Sequence, residues 1–199
     1  MSLSPALVMA LSAQCAPGVA PETMLAIVRA ESALNPLAIG VNGGSRTRPR
    51  PTNAADAAAM ARALLADGRD IDLGLGQINV RNLRRLGLTL EAAFDPCANL
   101  AASAQVLREG YARGRGAHGP GQAALRVAFS IYNTGDLRRG FRNGYVARVV
   151  AYAAPRGPQP APQPTVAVAT AVTPPGWDVF GRAAAARSPI VFSTAGATP

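Results

Sequence analysis

One carboxylate in this sequence is placed to do acid–base chemistry. Glu31 follows Ile27 by four residues, Val28 by three and Met24 by seven, so in a helix starting near Pro21 and Glu22 it shares the face those apolar side chains turn inward. Pro36 stops that helix within about a turn of it. A glutamate there meets partial desolvation and the negative end of the helix dipole, and both favour its protonated form. A proton donor working near neutral pH needs such a pKa. The residues leave a second reading open, a glutamate at a frayed helix end that only reaches solvent. Tyr132 poses the same choice. It falls in the last turn of a helix that starts at Gln122 and exits through Asn133-Thr134-Gly135, where a phenol either faces a cleft between helix ends or packs half-buried.

Between them in the chain, Gly74-Leu75-Gly76-Gln77-Ile78-Asn79 describes backbone that comes close to something, a ligand or a core crossing. Its glycine spacing and the absence of a following lysine exclude a phosphate-binding loop. Arg69-Asp70-Ile71-Asp72-Leu73 alternates as one short edge strand would, and Asp70 or Asp72 could activate a water from it or simply be solvated. Cys15 and Cys97 are no metal-ligand set, and the one histidine, His118, lies in the glycine-rich stretch Gly114–Gly121, read as a loop. A zinc site and a Ser-His-Asp triad are therefore poorly supported, and no cofactor is implied. Both cysteines lie near prolines at element boundaries, open to a disulfide or to two buried thiols.

The elements that must position these groups are mostly helices. Pro5–Gln14 turns Leu7, Val8 and Leu11 inward, and Ala57–Ala66 is capped by Thr52 and Asn53. Asn79 caps a helix holding Leu83 and Leu86. Asp95-Pro96 opens one whose stripe is Leu100, Ala104, Leu107 and Tyr111, and a last helix over Gly144–Tyr152 turns Tyr145, Val149 and Tyr152 inward. The stretch from Ile39 to Pro51 reads as irregular, with Arg46, Arg48 and Arg50 lining a groove for an anionic polymer or merely solvated.

The 199 residues suit one domain with a real core. All 20 basic side chains are arginine against 11 acids, a net charge of +9, which fits polyanionic surroundings such as nucleic acid, anionic lipid or a cell wall. No aromatic-basic strand module supports nucleic acid as the partner. From Pro155 onward prolines crowd the chain, so residues 1–154 are read as the folded domain and 155–199 as a flexible tail, with a docking segment over 176–192 around Trp177 and Phe180. No segment is apolar for eighteen residues, so no transmembrane helix is expected. The Ser4–Ala13 stretch lacks the basic start of a secretory signal, which places a targeting segment upstream or makes export independent of one.

The chain resembles soluble lytic transglycosylases. Glu31-Ser32-Ala33-Leu34-Asn35-Pro36 looks like their glutamate motif, and Gly74-Leu75-Gly76-Gln77-Ile78-Asn79 like Gly-Leu-Met-Gln-Ile with Gly76 at the usual methionine. Ile131-Tyr132-Asn133-Thr134-Gly135 looks like Ala-Tyr-Asn-x-Gly, and Gly144-Tyr145-Val146 with Val149 like the motif that follows. Within that family the chain is most similar to the cell-wall-cleaving subunits of bacterial type IV secretion systems. That resemblance covers Cys15 to Tyr152, with Phe94-Asp95-Pro96-Cys97-Ala98-Asn99-Leu100 inside it, and reappears in Trp177-Asp178-Val179-Phe180. It implies a mainly α, lysozyme-like fold of the goose type, α+β only through one very small sheet.

For the site, the resemblance implies Glu31 as general acid, then base, in cleaving the bond between N-acetylmuramic acid and N-acetylglucosamine, with the muramoyl 6-hydroxyl as nucleophile and a 1,6-anhydro product. One carboxylate then suffices where ordinary glycosidases use two. Tyr132 becomes the phenol that bonds and orients Glu31, and Ser32, Gly74, Gln77, Asn79, Asn133 and Tyr145 become substrate contacts. Gly76 widens the sugar groove. Cys15 and Cys97 are joined, the location is the periplasm, and the partners are glycan strands and, through the tail, secretion components. A hydrolase using Asp70 or Asp72 and a non-catalytic glycan-binding assembly protein are the alternatives.

Overall fold

The computed structural model describes residues 2–43 and 49–154. Arg46, Arg48 and the whole of 155–199, with the docking segment around Trp177, lie outside the described residues.

The helix carrying Glu31, α2 (Pro21–Ser32), follows α1 (Pro5–Cys15). Met24, Leu25, Ala26, Ile27 and Val28 are consecutive and all buried, so α2 is enclosed on every side in its middle turns rather than packed by one stripe. It serves two core clusters. Met24, Leu25 and Val28 join Val8, Ala16, Leu75 and Leu100, while Ala26 and Ile27 join Leu107, Ala128, Phe129, Tyr145 and Val149. The helix ends before Pro36 acts. Ala33 and Leu34 take left-handed backbone, with φ of 51° and 66°, and the Leu34 amide donates back to Val28 O at 3.3 Å. In α1 only Val8 and Ser12 are fully inside, and Leu7, expected to be inside, is exposed.

The irregular stretch expected after Pro36 contains a strand, β1 (Ile39–Val41). It pairs antiparallel with β2 (Ile71–Leu73), which pairs in turn with β3 (Ile78–Asn79). The strand read as an edge is thus the centre of a three-stranded sheet. The signal was hidden because β1 is only three residues long and ends in glycine-rich sequence. Ile71 and Leu73 pack with Ala57, Ala58 and Ala61 of α3 (Ala54–Ala66), whose amide at Asp56 is capped by Asn53 Oδ1 at 2.9 Å. After β3 a single 3₁₀ turn, Val80–Asn82, stands where an α-helix was expected, with Asn79 Oδ1 accepting from the Arg81 amide at 3.0 Å. A second 3₁₀ turn, Ala92–Phe94, leads into α4 (Pro96–His118), whose first turn Asp95 caps at the Ala98 amide, 2.8 Å.

The expected loop over Gly114–Gly121 begins only at Gly119, because α4 runs on through Gly114. Gly110 and Gly114 lie on one α4 face, four residues apart, against α5 (Gln122–Thr134). A Cβ at Gly114 would lie 2.6 Å from Ala124 O, and one at Gly110 3.3 Å from Ala128 O. These glycines let two helix backbones approach and do not break the helix. The short α6 (Arg139–Arg142) and α7 (Tyr145–Ala153) complete the described domain. On α7, Tyr145 and Val149 are buried while Tyr152, expected inside, is exposed. The result is a predominantly helical domain with one small open sheet, the lysozyme-like arrangement.

Cys15, the last residue of α1, is bonded to Cys97, in the first turn of α4, with Cα atoms 5.4 Å apart and a sequence separation of 82. A cross-link over that span removes unfolded-chain entropy worth about 4 to 5 kcal/mol. Replacing both cysteines by serine should lower the melting temperature by roughly 10 °C. An unaltered melting curve in the double variant would show that this bond contributes nothing to stability.

Candidate active site

Glu31 sits on the last turn of α2, where the helix emerges from the core into a cleft of about 760 Å³. Asn42, Asp72, Gln77 and Asn79 line the cleft from the sheet side, Val106, Glu109, Gly110 and Arg113 from α4, and Ile131, Tyr132, Asn133 and Thr134 from α5. The buried Tyr145, first residue of α7, donates its hydroxyl to Glu31 Oε1 at 2.5 Å. Every fully buried side-chain oxygen among the described residues has a partner. Glu31 Oε2 has none among the described residues, so it is not fully buried, and Glu31 lines the cleft.

Burial pushes the Glu31 carboxyl up from 4.5 to about 7, against the pull of the Tyr145 hydrogen bond; the charge of Asp72 raises it further, and the Arg148 guanidinium opposes that. Arg148 stacks 5.4 Å above the Tyr145 ring. Tyr145 itself is held above the ordinary phenol range by burial and by the neighbouring Glu31 charge, so it stays a donor. Of the two readings the sequence leaves open for Glu31, this is the buried one with a raised pKa.

The phenol that touches Glu31 is not Tyr132. Tyr132 donates to Gly76 O at 2.7 Å, 56 residues away in sequence. On the other side of that residue the Gly76 amide donates to Asn99 Oδ1 at 2.7 Å, and Asn99 Nδ2 donates to Leu73 O and Ala93 O at 3.0 and 2.8 Å. Asn99 is fully buried. Tyr132 and Asn99 therefore clamp the turn between β2 and β3 from both faces. Gly76 does not widen the groove, because a Cβ there would lie 1.9 Å from Ser103 Oγ and 2.6 Å from the Tyr132 hydroxyl. The volume a side chain would occupy is already filled. The sequence signal for this network was Asn99 and Ser103, polar residues four apart beside the apolar stripe of Leu100 and Ala104.

The remaining expected contacts separate into those the cleft exposes and those it does not. Gln77, Asn79 and Asn133 line it; Ser32, Gly74 and Tyr145 do not. Ser32 Oγ donates to Val28 O at 3.1 Å within its own helix, and Gly74, at φ 74°, packs where a Cβ would lie 2.2 Å from Ala93 O. Gln77 has left-handed backbone, φ 50°, and both donors of its amide are spent on Gly74 O and Ala38 O, at 2.9 and 3.2 Å. Asn79 Nδ2 donates to Asp70 Oδ1 and Asp72 Oδ1 at 2.9 and 2.8 Å. Asp72 also accepts from Asn42 Nδ2 at 3.0 Å, and burial raises its pKa. Asp70 is paired with Arg81 at 3.3 Å and lies away from the cleft lining. Of the two aspartates, only Asp72 shares the cleft with Glu31.

Burial of Glu31 carries a stability consequence with a definite sign. Its folded pKa of about 7 exceeds the unfolded 4.5, so the folded state holds the proton more tightly. Stability is therefore lost as pH rises from 4.5 to about 7, and the loss, at most on the order of 3 kcal/mol, is complete above that range. Glu31→Gln removes the titrating group. The variant should melt above the parent at alkaline pH, and the gap should close on acidification toward pH 4.5. A gap independent of pH would show that Glu31 does not titrate in this way.

Comparison with known proteins identifies the family. Residues 9–153 match the family model described as the transglycosylase SLT domain. The chain is 44% identical over 149 residues to the type IV secretion system protein virB1 of Brucella suis biovar 1, covering 72% of this chain and 62% of that protein. It is 40% identical over 168 residues to the protein virB1 of Agrobacterium fabrum, covering 84% and 68%, and 43% identical over 136 residues to that of Rhizobium radiobacter, covering 68% and 56%. No solved structure matches it. With the Brucella relative the chain thus shares somewhat under two thirds of that protein's length. On the family model, which takes in the Glu31 helix, the Gly74–Asn79 turn and the Tyr132 and Tyr145 helices alike, the chain belongs to the transglycosylase SLT domain family.

Proposed function

We propose that this protein is a peptidoglycan lytic transglycosylase that cleaves the β-1,4 bond between N-acetylmuramic acid and N-acetylglucosamine. The observation that carries the reading is Glu31, a half-buried carboxyl with a pKa of about 7, one oxygen held by Tyr145, in a cleft of about 760 Å³. In its protonated form Glu31 donates to the glycosidic oxygen as the C1–O bond breaks, and the charge at C1 is that of an oxocarbenium ion. The glutamate left behind then takes the proton of the muramoyl 6-hydroxyl as that oxygen closes on C1. The proton balance returns Glu31 to its starting state and uses no water. Tyr145 fixes the rotamer of Glu31 and limits how far burial raises its pKa. Tyr132, Gln77 and Asn79 act on the shape of the cleft wall.

Among the described residues no helix is long and apolar enough to cross a membrane. The Brucella suis relative is named a type IV secretion system protein. For this chain we propose the periplasm as the site of action, local opening of the wall for a secretion apparatus as the role, and residues 155–199 as the segment that docks on its components.

A second reading is favoured by Asp72, which shares the cleft with Glu31: a muramidase in which Asp72 activates water. Digestion of purified peptidoglycan in oxygen-18 water separates the two. We expect unlabelled anhydro ends, loss of at least about a hundredfold in turnover for Glu31→Gln, and less than about tenfold for Asp72→Asn. Labelled reducing ends, abolished by Asp72→Asn, would replace the transglycosylase by the hydrolase.

The hydrogen bond from Tyr145 gives a further check. With Glu31 as the acid, the rate should fall as pH rises through about 7, and Tyr145→Phe, which removes a bond that favours the carboxylate, should lower turnover and move that alkaline limb to higher pH. Tyr132→Phe should leave the limb where it is. A shift caused by Tyr132→Phe and absent in Tyr145→Phe would reverse the assignment.

A further inference from the structure

The cleft carries charges that proton transfer to a sugar bond does not use. Val106, Glu109, Gly110 and Arg113 recur at the spacing of a single α4 face, and Arg85, Arg139 and Asn143 extend the same cleft. Arg85 is neutralised, since its Nη1 meets Glu109 Oε2 at 2.5 Å and Gln105 Nε2 steadies the other Glu109 oxygen at 3.1 Å. Arg113 and Arg139 line the cleft with guanidinium groups that form no ion pair among the described residues; the Asp136 carboxylate near Arg139 accepts from its backbone amide, at 2.7 Å. A strand of alternating N-acetylated sugars offers hydroxyl and acetamide groups but no charge. Its anionic groups belong to the peptides attached through the lactoyl ether, and a guanidinium fork matches a carboxylate with two parallel hydrogen bonds.

We propose that Arg113 and Arg139 form a carboxylate-binding pair that selects glycan strands still bearing their peptides. The proposal rests on the function argued above and adds the substrate class to it. Removing the pair should weaken binding through KM, because both side chains are exposed at the cleft and the hydrogen bond that holds Glu31 comes from Tyr145 and from neither arginine.

The test compares kcat/KM of the parent, Arg113→Gln, Arg139→Gln and the double variant on intact peptidoglycan and on the same material with its carboxyl groups converted to amides. The parent should prefer the intact substrate, and the double variant should lose about tenfold on it, mostly in KM, so that the ratio between substrates falls toward one. Arg126→Gln, an exposed α5 arginine outside the cleft lining, should leave that ratio at the parent value. A parent that cleaves both substrates equally, or an Arg126→Gln ratio that falls as far as the double variant's, would overturn the pair as a selective site while leaving the cleavage reading intact. A third arm uses strands stripped of peptide, which bear a free lactoyl carboxylate; an equal loss there would assign the arginines to that carboxylate and overturn the peptide assignment. Failure of the parent to cleave any of the three would instead remove the reading on which the proposal depends.

Discussion

The hydrogen bond from Tyr145 to Glu31 joins residues 114 apart in sequence, and much of the second half of the domain is arranged to make it. Asn143 Oδ1 accepts from the Tyr145 amide at 3.0 Å, while Gly144, at φ 79°, turns the chain into α7 so that its first residue points back toward α2. Asn143 Nδ2 donates to Asn133 Oδ1 at 2.9 Å, which ties the turn to the end of α5. One corner further back, Ser130 Oγ accepts from the Gly140 amide at 2.9 Å and donates to Asp136 O at 2.7 Å. Asn133 and Tyr145, which motif similarity offers as substrate contacts, thus belong to a chain of hydrogen bonds that ends on the acid.

A second set of contacts fixes the opposite wall. The turn from Gly74 to Asn79 is anchored in the core by Leu75 and Ile78, but at its two glycines it has no side chain to pack. Tyr132 and Asn99 hold the Gly76 residue by its carbonyl and its amide, and Gln77 folds its own amide back onto Gly74 O and Ala38 O. Buried polar groups of this kind are stable only when fully paired, and among the described residues none is left unpaired. The wall that carries Asp72 and Asn79 is therefore held by bonds within the protein.

How much of this the sequence disclosed follows the range of each interaction. Glu31 was partly legible because its environment is local: the spacing of Met24, Ile27 and Val28 and the nearby helix end offer burial and a raised pKa as one of two readings, and the fold decides for it. The caps at Asn53 and Asp95 were legible for the same reason. What acts across the fold was not. Periodicity does not say which of two tyrosines reaches Glu31, and it reads Gly114 as a loop because it cannot see the α5 backbone that excludes a Cβ. Gly76 is the sharpest case. Comparing side-chain sizes at one position suggested a wider groove, but Ser103 and Tyr132 had already taken up the space.

Strain follows the same boundaries. Ala33, Leu34 and Gln77 are the non-glycine residues with positive φ among the described ones, and they lie in the two segments that carry Glu31 and the Gly74–Asn79 turn. Left-handed backbone costs such residues roughly 1 kcal/mol or more each, so it persists only where the surroundings enforce it. After Glu31 the enforcement is visible: the Leu34 amide returns to Val28 O, and Leu34 itself is drawn into the cluster of Val8, Met24 and Leu100. That cluster joins α1 to α4, the same helices that the Cys15–Cys97 bond ties together. The turn after Ser32 is what lets Leu34 join this cluster. Ending α2 at the acid, and spending backbone energy to do so, is what leaves Glu31 buried on its Tyr145 side and open on the other.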